Sequence, residues 1–268
     1  MKAFATLIEH ISQKPIKRDF TPYDTLLSFG YFWHTLPSCE RLFILHPLFV
    51  NENKTLQSLR YEVGTEFGVA WLLAHTLSHL LNAQTPLTQE LQAKLQHIDV
   101  GYLSSESNLA EEELESITQY TKSIKKPLGI VLGSELALHQ NAQDIALICG
   151  ILARSSQIDV IMPELADSIH SYAECEPHLQ ICEDLPESNG HFVYILPTHT
   201  PTNTLKIPPL FAPMLGLKDK QHITLCFESQ RIEAICERDS TKKGTIALLC
   251  LPTTNDIGYP YKKVEVIL

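Results

Sequence analysis

Pro127-Leu128-Gly129-Ile130-Val131-Leu132-Gly133, then an apolar helical stretch from Asn141 to Ser155, then Ile158-Asp159-Val160-Ile161-Met162 decide the fold class of this chain. A short continuous run rich in Ile, Val and Leu, bounded by glycine, predicts a strand buried on both faces, as in parallel sheets. A strand, a helix and a second such strand in that order form a βαβ unit, whose crossover is expected to be right-handed. The first part of the chain is therefore expected to be α/β.

Upstream, Phe4, Leu7, Ile8 and Ile11 recur at helical spacing and predict an amphipathic first helix. Leu42-Phe43-Ile44-Leu45 predicts a buried strand stopped by His46-Pro47. Residues 64–81 place Val69, Leu72, Leu73, Thr76, Leu77, Leu80 and Leu81 on one broad face, predicting a helix covered on most sides. Asn108, followed three residues later by Glu111 and then by Leu114 and Ile117, predicts a capped helix start with acids in the first turn, running to about Lys125.

Downstream, residues 167–189 are polar, contain Pro177 and Pro186, and carry no defensible period, so they are expected to be a connection. After Gly190 the pattern changes to short β-type runs at 191–196, 222–228, 231–237, 245–251 and 263–268, which suggest a small β-barrel or sandwich. A helical turn around Leu210 to Leu215 is expected to plug it. The prolines from Pro197 to Pro213 argue that this segment is an exposed arm or surface loop, since proline is excluded from central strands.

Composition limits the function classes. The chain has 268 residues, 44% hydrophobic and 19% charged, which suits a folded protein with one large or two moderate cores. A formal charge of −10 argues against a nucleic-acid partner, whose phosphates demand Lys and Arg. No apolar run reaches the length of about 20 residues that a bilayer span requires; residues 68–81 are interrupted by His75, Ser78 and His79. Glu9 and His10 interrupt the place where a secretory signal would be apolar. Seven scattered cysteines, an odd number, suit reduced thiols, and no C-x-x-C spacing groups them for a cluster. These features together predict a cytoplasmic protein without direct membrane insertion.

Phe43-Ile44-Leu45-His46-Pro47, Tyr61-Glu62-Val63-Gly64-Thr65-Glu66-Phe67-Gly68-Val69, Gly101-Tyr102-Leu103-Ser104-Ser105-Glu106-Ser107-Asn108 and Gly129-Ile130-Val131-Leu132-Gly133 occur in an order that resembles the molybdopterin-oxidoreductase-like part of the large iron–sulfur (G-type) subunit of bacterial complex I, an NADH-quinone oxidoreductase. Residues 215–225, 231–236 and 243–248 are similar to the final β-barrel of molybdopterin oxidoreductases, with a departure at Lys220-Gln221, where glycine-aspartate is usual. The resemblance implies a Rossmann-like parallel sheet with flanking helices over 1–166, a linker over 167–189, and a small β-barrel of the molybdopterin oxidoreductase C-terminal type over 190–268. It also implies membership of a respiratory electron-transfer complex. The cysteine-rich cluster domains with which the family's G-type subunits begin have no counterpart here. The implied role is thus a cofactor-free structural or accessory subunit, or a split G-type fragment, partnered by other subunits of a complex I-like assembly and peripherally associated with the inner membrane through them. The alternative is a stand-alone α/β module binding a nucleotide or pterin.

Gly133 and Ser134 are the candidate cofactor-binding residues, because a strand feeding a helix brings backbone N–H groups to the sheet's carboxyl end. The stretch lacks G-x-G-x-x-G, and Gly133 alone would also suit a simple turn. His75 and His79 have the spacing of two zinc ligands on a helix but no third ligand, so no metal site is expected. Glu111, Glu112 and Glu113 are explained by the helix dipole. Glu62 and Glu66 are less easily dismissed; they are candidates for a subunit contact as readily as for acid–base chemistry by a carboxylate pair, and His199 in the proline-rich segment is a further candidate for a subunit contact. Ser104, Ser105 and Ser134 lack a G-x-S-x-G setting, and no catalytic residue is expected.

Overall fold

A computed structural model describes residues 1–48, 50–82, 85–165, 178–199, 202–252 and 258–267. The chain divides into two compact units, Met1–His46 with Asn51–Glu187, and Pro47–Val50 with Ser188–Leu268.

The first unit is α/β. Its five strands, β1 (Thr25–Phe29), β2 (Arg41–Leu45), β3 (Leu56–Leu59), β4 (Leu128–Leu132) and β5 (Ile158–Ile161), form one sheet in the order β3-β2-β1-β4-β5. Every pairing is parallel. The central strands β1 and β4 are buried along their whole length, which is why residues 128–132 carry an unbroken apolar run. The edge strands β3 and β5 each keep a half-buried position, Gln57 and Asp159.

Neither edge of this sheet offers a bare ladder. Beside β5, the Lys17 amide donates to Val160 O at 2.9 Å and Lys17 O accepts from the Met162 amide at 2.9 Å. At β3 the Glu52 carboxylate accepts from the Ser58 amide at 3.0 Å. Both arrangements occupy groups that would otherwise template a foreign strand.

Helices α1 (Lys2–Ser12), α2 (Glu66–Thr76), α3 (Pro86–Leu95), α4 (Val100–Ser107), α5 (Glu111–Thr121) and α6 (Ala142–Ala153) flank the sheet. The expected βαβ unit is present as β4, α6 and β5. α1 packs on α6, where Gly150 allows the approach: a Cβ there would stand 2.8 Å from Ile11 Cβ. The helix expected over 64–81 is shorter: α2 stops at Thr76, and a separate 3-10 turn covers Ser78–Leu80.

Asn108 closes one helix rather than opening the next. It adopts φ 56 at the C-terminus of α4, a left-handed position that asparagine tolerates. The start of α5 is instead served by Glu113, whose carboxylate accepts from the Ala110 amide at 3.0 Å. Of the connection expected at 167–189, residues 166–177 lie outside the described part. Residues 178–189 have no helix or strand, yet Leu179 and Cys182 are buried in the first unit's core and Gln180 O accepts the Trp71 indole N–H at 3.2 Å.

The second unit is a seven-stranded sheet built from β6 (Phe192–Thr198), β7 (Thr204–Ile207), β8 (His222–Phe227), β9 (Gln230–Arg238), β10 (Ala247–Pro252), β11 (Tyr261–Lys263) and β12 (Glu265–Ile267). Its order is β11-β6-β10-β7-β9-β8-β12. The two edge strands are consecutive in sequence, separated only by the buried Val264, so the sheet curls into a near-barrel. The helical turn expected at 210–215 is α7 (Phe211–Leu215), and its Phe211 is fully buried in this unit's core.

The proline-rich segment is not an exposed arm. β7 lies in sequence between Pro201 and Pro208 and pairs centrally, antiparallel to β10 and parallel to β9. Pro201 and Pro208 fall outside β7 and take no donor from it, whereas Pro197 lies near the end of β6, opposite Leu251. Lys220 holds φ 60, the left-handed geometry for which glycine is the usual choice.

Burial governs the thiols. The Cys149 thiol is pushed up to about 12 by burial, and Cys182 up to about 11 by burial and the Asp184 charge. Because the thiolate is the reactive form, site-resolved maleimide labelling of the native chain at pH 8 is expected to modify the half-buried Cys226 well before Cys149 and Cys182. Labelling of Cys149 at the rate of Cys226 would refute this packing.

Candidate functional site

Chain order runs outward from β1 through β2 to β3 on one side and from β4 to β5 on the other. The topological switch therefore falls between β1 and β4, where open α/β sheets bind ligands beyond the strands' carboxyl ends. Here that position is closed by the chain itself. The Gly133 amide donates to Phe29 O at 2.9 Å, and a Cβ on Gly133 would lie 1.4 Å from Gly30 O. Leu136, fully buried, covers Gly30 so closely that a Cβ there would be 2.9 Å from its Cδ2.

Gly133 and Ser134 do not feed α6 directly. A 3-10 turn over Ser134–Leu138 intervenes, and α6 begins only at Ala142. Two histidine–glutamate pairs hold this turn. Glu135 Oε1 stands 3.5 Å from His46 Nε2, and His139 Nε2 stands 3.2 Å from Glu66 Oε2. The side chains are 6%, 3%, 3% and 0% exposed in that order, so all four are screened from water. His46 follows the last residue of β2, Glu66 opens α2, and Glu135 and His139 bracket the turn after β4. The Phe32 ring, 6.2 Å from the His46 ring, adds an apolar neighbour.

The hydrogen bonds around His139 assign its tautomer. Nε2 also lies 3.1 Å from Gly64 O, whereas Nδ1 accepts the Asn141 amide at 3.0 Å. Nε2 is the donor and Nδ1 the acceptor, which is the neutral imidazole. Burial pulls the His139 pKa down, while the Glu66 carboxylate and the Gly64 carbonyl pull it up by more, so the net direction is up.

No known family model or curated protein sequence matches this chain. Its function is read from its own residues.

Glu62 and Glu66, four apart, part company at the turn of Gly64, which has φ 88. Glu62 is half-exposed beside Arg60, with 3.9 Å between their charged atoms. Glu66 is fully enclosed within the first unit. His199 is exposed just after β6 in the second unit. His75 and His79 do not share an α-helix. His79 Nδ1 lies 3.1 Å from Thr76 O and Nε2 lies 3.2 Å from Thr121 Oγ1. Glu111, Glu112 and Glu113 occupy the first turn of α5, and Ser104 is buried in α4.

Sequence reasoning found Glu66 but missed His46, Glu135 and His139. The one local signal was Glu135 and His139 at a four-residue spacing beyond a predicted central strand. Their partners come from Gly64 to Glu66 and from the end of β2, which only the sheet order brings near. Enclosed as they are, the pairs can anchor a segment and hold a proton.

Proposed function

We propose that the chain is a structural or accessory subunit of a complex I-like quinone oxidoreductase, with the molybdopterin-oxidoreductase type of fold and without a ligand at the sheet's switch point. The observation that supports the ligand-free part of this reading is the closed crevice: Gly133 sits against the Gly30 carbonyl, and Leu136 packs against Gly30. A nucleotide or pterin would have to separate two hydrogen-bonded strand ends to enter there. The order of the quoted motifs supports the family reading, as does a parallel sheet followed by a plugged near-barrel. Lys220 at φ 60, where the family usually has glycine, fits the same pattern. Electron transfer would run through neighbouring subunits, and the half-exposed Glu62 and the exposed His199 are the residues proposed to touch them.

Affinity purification of the tagged full chain from its own cells in mild detergent tests the proposal. Iron–sulfur subunits, detected by their electron paramagnetic resonance signals, are expected to co-purify with quinone reductase activity. Recovery as a lone 30.2 kDa chain, or with a bound nucleotide or pterin, would overturn it.

A further inference from the structure

The segment from Gly133 to Asn141 is tied down at two points, Glu135 to His46 of the β2 end and His139 to Glu66 of α2. The second tie has a feature the first does not show. On one side of the His139 ring Nε2 faces a carboxylate and a carbonyl, and on the other Nδ1 accepts the amide of Asn141, the residue that opens α6. A proton added at Nδ1 would turn that acceptor into a donor and set two N–H groups against each other.

We propose that residues 133–141 form a proton-operated latch, in which uptake of a proton from water at His139 Nδ1 releases the Asn141 amide and the start of α6 while the Glu66 contact holds. The Glu66 carboxylate of α2 is the charged group that faces the ring at Nε2, and Asp144 lies in the first turn of α6, three residues past Asn141. Asp144 reports on the same place: burial raises its pKa, and a side-chain hydrogen bond from Asn141 pulls it back.

The latch has two opposite pH signatures. The folded-state His139 pKa is raised above the unfolded value of about 6.5. The stability contributed by the protonated ring with Glu66 is therefore fully present below about 6.5 and is lost as pH rises through the folded value. Locally, acid does the reverse, because it removes the acceptor of the Asn141 amide. Opening of the α6 start with acid is thus distinguishable from acid unfolding of the unit.

The test follows the histidine nitrogen signals of the 15N-labelled full chain from pH 8 to 5.5, alongside amide hydrogen exchange corrected for its intrinsic pH dependence. His139 is expected to pass from the Nε2–H tautomer to the imidazolium. Exchange of the amides of residues 141–145 should rise by about tenfold per pH unit while one extra proton is being bound, with β1 and β4 amides unchanged. Glu66→Gln keeps an acceptor but removes the charge, and should move the His139 midpoint down; should that variant not fold, the wild-type signals decide alone. A ring that stays neutral to pH 5.5 would overturn the latch. So would a ring that titrates without effect at Asn141, or β1 and β4 amides that open together with α6.

Discussion

Gly133→Ala is expected to destabilise the first unit by about 4 kcal/mol or more, in the range reached only by severe steric or packing defects. The reason is not backbone freedom, since Gly133 has φ −77 and ψ 152, which any residue adopts. The added Cβ would fall 1.4 Å from Gly30 O, an atom of the adjoining strand end rather than of a side chain that could turn away. Relief requires β1 and β4 to part at their carboxyl ends, breaking the 2.9 Å bond from the Gly133 amide to Phe29 O. Urea unfolding followed by tryptophan fluorescence reads this, because Trp71 is fully buried in the same core. Gly216→Ala in the second unit is the control, read by circular dichroism because Trp33 and Trp71 both lie in the first unit. Gly216 holds φ 66 with nothing within 4 Å of the place its new methyl group would take, so the cost should stay near the roughly 1 kcal/mol that separates glycine from alanine in a left-handed conformation. Equal effects of the two substitutions would sink the steric explanation.

At a pH where His139 is protonated, Glu66→Ala is expected to cost about 3–5 kcal/mol, the range found when one partner of a buried ion pair is removed. Its carboxylate is fully enclosed and stands 3.2 Å from His139 Nε2, so truncation strips the ring of its charged partner and leaves a void. The double replacement Glu66→Leu with His139→Leu should cost less than the sum of the single ones, by a coupling of about 1–3 kcal/mol. The His46 and Glu135 pair, at 3.5 Å, should show the same sign with a smaller coupling. Additive single and double replacements at Glu66 and His139 would mean that the contact contributes nothing to folding. The cycle is read by urea unfolding at one fixed pH, since the pair's protonation is itself pH-dependent.

How far the residues alone disclosed this architecture depended on where each element's partners lie. β4, α6 and β5 were legible because a strand buried on both faces and the helix behind it carry their own apolar signatures. β3 was not, since Leu56-Gln57-Ser58-Leu59 is short and mixed in polarity, and becomes a strand through its pairing with β2. β7 was hidden by the prolines on either side of it in sequence, none of which enters the strand. Asn108 misled because a side chain suited to opening a helix also tolerates the left-handed geometry that closes one. The site was less legible than the fold. Glu66 stood out beside Gly64, but its significance depends on His139, which lies several elements further along the chain and meets it only once β1 and β4 are neighbours.

That neighbourhood also sets a timetable for synthesis. Leu26 pairs with Gly129, about a hundred residues later, whereas β2 and β3 follow β1 closely. At a translation rate of about 5–20 residues per second, β1 emerges from the ribosome roughly 5–20 s before its second partner exists. Throughout that interval its far side is a row of unpaired amides and carbonyls beside an uncovered Gly30. The most central strand of the sheet is therefore the nascent chain's most adhesive surface, and the moment of greatest hazard ends when Gly133 arrives to close it.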